Sequence, residues 1–222
     1  MAQNYQRQTG IINIKEFRDN IISIIGCGAI GSFTAISLAK MGLTKFHLWD
    51  MDKVETHNLP NQFFGETDIG KNKVDVTGQY MQNFNNDCLI VYFGKFTKEE
   101  WNKDKNYSSQ IVISCVDKMS VRKEIFETVK EDRNVQLFID TRMGGLQGQI
   151  YCIDMKNMEQ ITNYEKTLFG DESAVQLRCT ERSIIFTVLG LASLVCNQIV
   201  KAFKNEETTN FITLDYTVPQ MM

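Results

Sequence analysis

Residues 24–33 read IIGCGAIGSF, and the segment from Gly26 to Gly31 fits the GxGxxG pattern of nucleotide-binding loops. In such a loop the glycines turn the chain tightly and bring backbone N–H groups close to a phosphate at a helix N-terminus. An apolar run precedes the loop at 20–26, and apolar residues recur at helical spacing over 29–41. The stretch therefore predicts strand, phosphate loop and helix. The predicted nucleotide contacts are Gly26, Gly28, Ala29 and Gly31.

The pattern of strand followed by helix repeats along the chain. Further strands are predicted at 44–50, 88–93, 111–115 and 135–140, and helices at 70–84 and 119–129. Strands that alternate with helices are typical of a mostly parallel sheet with helices on both faces. The sequence therefore predicts an α/β, Rossmann-like nucleotide-binding half over about 20–141.

The last third of the chain has a different pattern, which predicts a C-terminal half over about 142–222. We expect a strand at 149–154, a long buried helix at 183–203 and a final strand at 210–216. The polar, aperiodic segment 155–178 is predicted to be a mobile functional loop. These additional strands are expected to be antiparallel, and both halves to form a single domain over 1–222.

Composition excludes several classes of partner. Lys and Arg total 24 against 27 Asp and Glu, a net charge of -3 with no long run of one sign, so bulk nucleic acid is not an expected partner. The most apolar stretch, 183–196, is shorter than the roughly 20 residues that span a bilayer, so no membrane association is expected. Six cysteines without CxxC pairs, and no signal peptide, predict reduced thiols and a cytoplasmic location.

The residues after the second strand bear on which nucleotide binds. Asp50 lies 19 residues after Gly31, where a Rossmann fold places the acid that binds a ribose hydroxyl, and this spacing suits NAD and ATP equally. A second acid, two amides and a lysine-containing turn at 70–73 then follow within one segment. A dehydrogenase does not need a second acid, two amides and a lysine beside a single phosphate site. These residues are Asp52, Asn58, Gln62 and Lys73.

This segment resembles the ThiF/MoeB/HesA family of ubiquitin-activating-enzyme-like adenylyltransferases, whose signature runs roughly D-x-D-x-V-x-x-x-N-L-x-R-Q…D-I-G-x-x-K. The matching positions are Asp50, Asp52, Val54, Asn58, Leu59, Gln62, Asp68, Ile69, Gly70 and Lys73. Residues 5–8, YQRQ, look like the family's R-Y-x-R-Q opening, and residues 114–117, SCVD, followed by Arg122, look like its C-T-D-N…R element. Residues 142–150 are similar to the family's strand after the ATP site, so the resemblance covers 5–216.

The resemblance implies ATP- and Mg²⁺-dependent adenylation of the C-terminal carboxylate of a small ubiquitin-like or sulfur-carrier protein ending in Gly-Gly. It implies a homodimer in which Arg7 reaches the ATP site of the second copy, Asp117 as the magnesium ligand, and Cys179 as a candidate acceptor. Lys73 would supply positive charge at the phosphates, the requirement of phosphoryl chemistry. The implied ATP-binding residues after the glycine loop are Asp50, Asp52, Asn58, Asn61, Gln62 and Lys73.

The chain departs from the family pattern in two ways. It lacks the two CxxC pairs by which many relatives bind zinc, so no structural zinc is expected. Asn61 stands where the signature has its arginine, and an asparagine supplies neither the charge nor the bidentate fork of that side chain. Lys53 or Lys71 is a candidate substitute.

Several alternatives stay open from the sequence. A nucleotide-binding interaction module without catalysis is one, an NAD-dependent oxidoreductase a second, and a tRNA threonylcarbamoyladenosine dehydratase-like enzyme a third. For single residues, Asp117 is also a candidate N-cap of the helix at 119–129. Cys179 is also a candidate for an inert packing thiol, like the other five cysteines.

Overall fold

The computed structural model describes residues 4–103, 109–170 and 183–217 of the chain. The strands are β1 Ile21–Ile25, β2 Lys45–Trp49, β3 Leu89–Phe93, β4 Ile111–Ser114, β5 Leu137–Gly144, β6 Gln147–Asp154 and β7 Phe211–Asp215. The α-helices are α1 Ala29–Met41, α2 Lys73–Phe84, α3 Lys98–Lys103, α4 Met119–Val129, α5 Met158–Glu165 and α6 Ile185–Phe203. Four short 3₁₀ turns lie at Gln6–Gln8, Ile14–Glu16, Thr56–Asn58 and Glu66–Asp68.

The seven strands form one sheet in the order β3-β2-β1-β4-β5-β6-β7. The first five in the chain pair in parallel, whereas β5 with β6 and β6 with β7 pair antiparallel. Strand order reverses between β1 and β4, because β2 lies on the other side of β1. In doubly wound sheets ligands bind in the crevice at this reversal, beyond the carboxyl ends of the strands. The fold therefore directs attention to the loops after β1, β2 and β4.

Two apolar layers cover the faces of the sheet, because successive strand side chains point to opposite sides. In β4, Ile111 and Ile113 pack into the layer that includes side chains of α1, α2 and α6, and Val112 packs into the layer with α4 and α5. In β5, Leu137 packs into the first of these layers and Phe138 into the second. Helices on both faces of a mostly parallel sheet confirm the predicted fold class.

Most predicted elements match the structure, and two differ from it. The helix at 119–129 has the predicted bounds, and the change to antiparallel pairing falls between β5 and β6, a few residues after the predicted position. The interpretation of 155–178 as a loop is wrong for 158–165, which form α5, and residues 171–178 lie outside the described part of the chain. The helix α3 was not predicted. The reason for α5 is local: the Asn157 side chain accepts from the N–H groups of Glu159 and Gln160 as a cap, and the side chain of Tyr164 is buried.

Helix α6 is the one helix in the described part of the chain that is long and apolar enough to cross a membrane. It packs instead against α1 and the strands β5 to β7. Its buried residues recur at helical spacing, from Val188 through Leu191 and Val195 to Ile199. The predicted helix at 183–203 is thus a core helix that places one face against the sheet.

Candidate functional site

The glycine loop joins β1 to α1 and is closely packed against its surroundings. Gly26 has φ +94°, a backbone conformation that favours glycine, and a Cβ there would lie 2.8 Å from the carbonyl oxygen of Cys115. A Cβ on Gly31 would lie 1.8 Å from the carbonyl oxygen of Gly26. Gly28 is the N-cap of α1 and offers no side chain, so the first N–H groups of the helix are left for a ligand. This geometry fits a phosphate at the start of α1.

Asp50 ties the end of β2 to the glycine loop. Its Oδ2 accepts from the backbone N–H of Cys27 at 2.8 Å, and its Oδ1 accepts from the N–H of Asp52 at 2.8 Å. Burial raises the pKa of the Asp50 carboxyl, and these hydrogen bonds together with nearby Lys73 oppose that rise. The sequence predicts that Asp50 binds a ribose hydroxyl. The structure adds that the same carboxylate holds the backbone of the loop.

Lys73 is a buried lysine at the first position of α2. Its Nζ lies 3.3 Å from Oδ2 of Asp52, and its backbone N–H donates to the carbonyl oxygen of Asp52. The Lys73 side chain is 9% exposed and that of Asp52 is 59% exposed, so the ammonium is buried beside a carboxylate that faces solvent. Such an arrangement holds a positive charge in place close to the end of β2. A positive charge that is fixed in position in this way suits the binding of a phosphate.

The loop 55–63 is folded on itself by Asn58 and is docked onto α1 through the backbone of Phe63. Asn58 is buried, and its Oδ1 accepts from the N–H of Glu55. The N–H of Phe63 donates to Oγ of Ser32 at 3.0 Å, in the first turns of α1. Nε2 of Gln62 lies 3.9 Å from the position that a Cβ on Gly28 would take. The loop and the glycine motif thus form one contiguous surface.

Asn61 is engaged with a residue from the far end of the chain. Its Nδ2 donates a short hydrogen bond to Oγ of Ser183, the residue that also forms a parallel backbone bridge with Gly145. Oδ1 of Asn61 is buried and has no hydrogen-bond partner. Of the two candidate substitutes for the missing arginine, Lys71 pairs with Asp68 at 3.2 Å, and Lys53 is exposed on a backbone bridge to Asn72.

Asp117 follows β4 and is exposed at the carboxyl edge of the sheet. The N-cap position of α4 is Lys118, which makes no side-chain cap bond, and Asp117 lies one residue before it. Its exposed carboxylate is one oxygen ligand, and Mg²⁺ is commonly bound by one or two carboxylates with substrate phosphates completing the sphere. No group of three or more His, Cys, Asp or Glu side chains in the described ranges could hold a metal by itself.

A buried charge cluster supports the loop that carries Asp117. Arg122 of α4 donates to Asp140 in β5, to the carbonyl oxygen of Thr141 at 3.0 Å and to that of Val116 at 2.5 Å. Arg142 donates from Nε to Asp140 at 2.9 Å. Burial lowers the pKa of Arg122 to about 10. Sequence reasoning noticed Arg122 but missed Asp140, although an acid in the middle of an apolar strand is itself a signal of a buried ion pair.

The cysteines nearest the site are packing residues. Cys27 lies buried in the glycine loop and Cys115 follows β4. Burial raises the pKa of Cys27 well above its usual range and that of Cys115 to about 11, so both are thiols at neutral pH. Cys179 lies outside the described residues.

Arg7 lies far from the glycine loop of its own chain. The turn that carries it is held at the C-terminal end of α1, where Gln8 donates to the carbonyl oxygen of Met41 and the ring of Tyr5 packs against Gly42. The glycine loop is at the other end of this 13-residue helix, about 18 Å away at 1.5 Å per residue. Arg7 itself is exposed. The structure therefore does not bring Arg7 together with the other predicted site residues of the same chain.

Known proteins share both the sequence pattern and the fold. Ubiquitin-like modifier-activating enzyme 5 of Drosophila mojavensis is 31% identical over 139 residues, which cover 57% of this chain and 35% of the relative. The Mus musculus enzyme of the same name is 30% identical over 132 residues, covering 54% of this chain and 33% of the relative. These matches cover about a third of the length of the curated relatives.

Solved structures agree in fold at lower sequence identity. Escherichia coli MccB, crystallised with ATP, aligns over 93% of this chain and 63% of its own, with a TM-score of 0.72 and 19% identity. PaaA aligns over 91% of this chain and 62% of its own, with a TM-score of 0.69 and 19% identity. A model of the ThiF family matches residues 3–221. Together with the glycine loop and the motif around Lys73, this match shows that the chain belongs to the ThiF family.

Proposed function

We propose that the chain binds ATP with Mg²⁺ and adenylates the C-terminal carboxylate of a small ubiquitin-like or sulfur-carrier protein that ends in Gly-Gly. One observation carries the proposal: the glycine loop, the Lys73–Asp52 pair and Asp117 follow three neighbouring strands, β1, β2 and β4, at one edge of the sheet. The relatives are named for activation of ubiquitin-like modifiers, and MccB has been solved with ATP and with AMPCPP and MccA.

The reaction needs positive charge more than it needs a base. An oxygen of the ionised carboxylate attacks the α-phosphorus of ATP, the bond to the bridging oxygen breaks, and pyrophosphate leaves. No proton has to be removed, which suits a site without a histidine base. Of the two histidines, His47 is buried within β2, and His57 is exposed and 3.2 Å from Glu55. The N-terminus of α1 and the Lys73 ammonium would stabilise the developing phosphate charge.

Asp117 would hold the magnesium ion. Asp117 is exposed, lies one residue before the N-cap of α4 and follows β4, the strand that pairs with β1. When bound, the ion would neutralise negative charge on the phosphate oxygens. Arg122 fixes the backbone of the residue before Asp117, so this chain's contribution is to hold the carboxylate in place.

A second copy of the chain would complete the site. Arg7 is exposed, and its turn is held at the end of α1 opposite the glycine loop, along a helix about 18 Å long, so it is better placed to serve a phosphate in another subunit than in its own. We propose a homodimer in which each Arg7 supplies one cation to the opposite site. This cation would offset part of the charge lost where Asn61 replaces arginine.

Transfer to Cys179 is the proposed fate of the adenylate. The thiolate would attack the acyl carbon, a thioester would form, and AMP would leave with the bonding electron pair. The thioester is detectable as a conjugate that survives denaturation and is cleaved by a thiol reductant. Cys179→Ser would retain adenylation and lose this conjugate.

The second candidate function is nucleotide binding without turnover. It is favoured by Asn61, whose amide is bonded to Ser183 and supplies no charge to a phosphate. Exchange of labelled pyrophosphate into ATP separates the two candidates. With Mg²⁺ and a panel of ubiquitin-like proteins ending in Gly-Gly as probes, we expect one member to stimulate exchange. Tight ATP binding with no exchange for any member would select the non-catalytic module.

A further inference from the structure

Asn61 connects two regions that are far apart in sequence. It lies in the loop 55–63 next to the glycine motif, and its hydrogen bond to Ser183 spans 122 positions of the chain. Ser183 immediately precedes the N-cap of α6 and pairs through its backbone with Gly145, in the turn between β5 and β6. A continuous path of contacts therefore runs from the loop 55–63, next to the glycine motif, through Asn61 and Ser183 to this turn.

The contact does not satisfy the amide of Asn61. A serine hydroxyl can donate or accept, so in either orientation of the amide one polar atom bonds Ser183 and the other is left buried without a partner. Oε1 of the neighbouring Gln62 is also buried without a partner. Buried polar groups of this kind are normally satisfied, so these two atoms are available to a ligand or an ordered water that reaches the loop.

The loop is also placed to respond to a nucleotide. The N–H of Phe63 bonds Ser32 in α1, and the Gln62 amide lies against Gly28. A phosphate at the N-terminus of α1 would thus meet the same backbone on which this loop is docked. At the other end of the path, Gly145 has φ +60° in the turn that joins β5, the last parallel strand, to the antiparallel strand β6.

We infer that Asn61 is a positioning residue that couples nucleotide binding to the β5–β6 turn through Ser183. Where the family signature has a phosphate-binding arginine, this chain has an uncharged asparagine. Its hydrogen bond to Ser183 would link the nucleotide-binding half to the C-terminal half. The inference rests on the proposed function for the identity of the nucleotide. Coupling of this kind is reciprocal, so a ligand that ordered the turn would strengthen ATP binding by the same factor.

Hydrogen exchange of the turn, with and without saturating Mg·ATP, tests the inference. In the wild type we expect ATP to slow exchange at residues 144–147 by about fivefold or more, the lower end of typical coupling factors. Ser183→Ala removes the hydroxyl outside the nucleotide site, so it should bind ATP with wild-type affinity and lose this protection. Ser183→Thr keeps a hydroxyl and should retain it. Asn61→Ala, measured at saturating ATP, should also lose it.

The ratio of exchange rates with and without ATP separates coupling from a merely structural role. If Ser183 only stabilised the turn, Ser183→Ala would raise both rates and leave their ratio at the wild-type value, and that result would overturn the inference. ATP binding to the wild type without protection of the turn would overturn it as well. Failure of the wild type to bind Mg·ATP is a different result, because it would remove the proposed function together with the coupling.

Discussion

A Cβ on Gly31 would lie 1.8 Å from the carbonyl oxygen of Gly26, so the first turn of α1 is in direct contact with the loop that precedes it. This contact explains why the helix can begin immediately after β1 and direct its N–H groups at one point. It also leaves no room for a side chain at Gly31.

Gly31→Ala is therefore expected to disrupt the loop. Alanine in a helix normally adds stability relative to glycine, but here the added methyl group must displace backbone, with an expected loss of about 1–3 kcal/mol in the free energy of unfolding. ATP affinity should fall at least about tenfold, measured by calorimetric titration. Gly94→Ala is the control, because no atom lies within 4 Å of its added Cβ. Equal ATP affinity of Gly31→Ala and wild type would contradict this account of the loop.

Lys73→Gln should reduce adenylation without unfolding the chain. The Lys73 side chain is 9% exposed and its partner Asp52 faces solvent, and the more buried Asp50 keeps its two backbone hydrogen bonds when the ammonium is removed. By analogy with the loss of one preorganised donor, kcat should fall about 10²–10³-fold. Lys71→Gln is the matched control: Lys71 is half-exposed and pairs with Asp68, and its change should cost less than about fivefold. Equal rates for the two variants would remove Lys73 from the phosphate site.

Arg7 is predicted to act across the dimer, which subunit mixing can measure. Arg7→Ala and Lys73→Gln homodimers should both be impaired. A heterodimer with one copy of each, isolated through two affinity tags, has one site with both intact side chains, so about half of the wild-type rate per dimer is expected. If no activity returns in the heterodimer, or if the wild-type chain is a monomer, Arg7 does not act in the opposite subunit.

Because His47 is buried, we predict that the free energy of unfolding decreases in acid. Burial lowers the pKa of His47 to about 4, against an ordinary value of 6.5, and its Nδ1 lies 3.3 Å from Oγ of Ser109. Because the unfolded chain binds the proton more tightly, stability is fully present above about pH 6.5 and is lost as the pH falls toward 4. From pH 7 to pH 5 the loss from this residue is about 2 kcal/mol.

Urea unfolding at pH 7 and pH 5 measures this effect. His47→Gln should lose less stability over that interval than wild type, whereas His57→Gln, at an exposed position, should behave like wild type. An identical pH dependence for His47→Gln and wild type would show that the imidazole is not held neutral by the fold.

Sequence reasoning predicted the architecture well because the relevant signals are local. The glycine motif, the apolar runs of β1 to β5 and the periodicity of α4 are each contained in a few neighbouring residues. The placement of Lys73 at the start of α2 followed from the motif after β2, and the structure confirms it.

Long-range contacts explain what the sequence did not show. The bond from Asn61 to Ser183 and the pair of Arg122 with Asp140 join residues that no spacing rule connects. The position of Arg7 depends on which end of α1 its segment packs against, which is a matter of tertiary structure. The helix α5 was missed because two buried residues, Ile161 and Tyr164, determine its face within an otherwise polar segment.

Formation of an acyl adenylate is most directly measured by trapping it with hydroxylamine. The chain is incubated with Mg·ATP and a ubiquitin-like protein ending in Gly-Gly that stimulates pyrophosphate exchange, and hydroxylamine converts the activated carboxylate to a hydroxamate while AMP leaves. We predict one hydroxamate at the C-terminal glycine for each AMP released, and loss of both products with Lys73→Gln. AMP or ADP release without any hydroxamate would contradict adenylation of a C-terminal carboxylate.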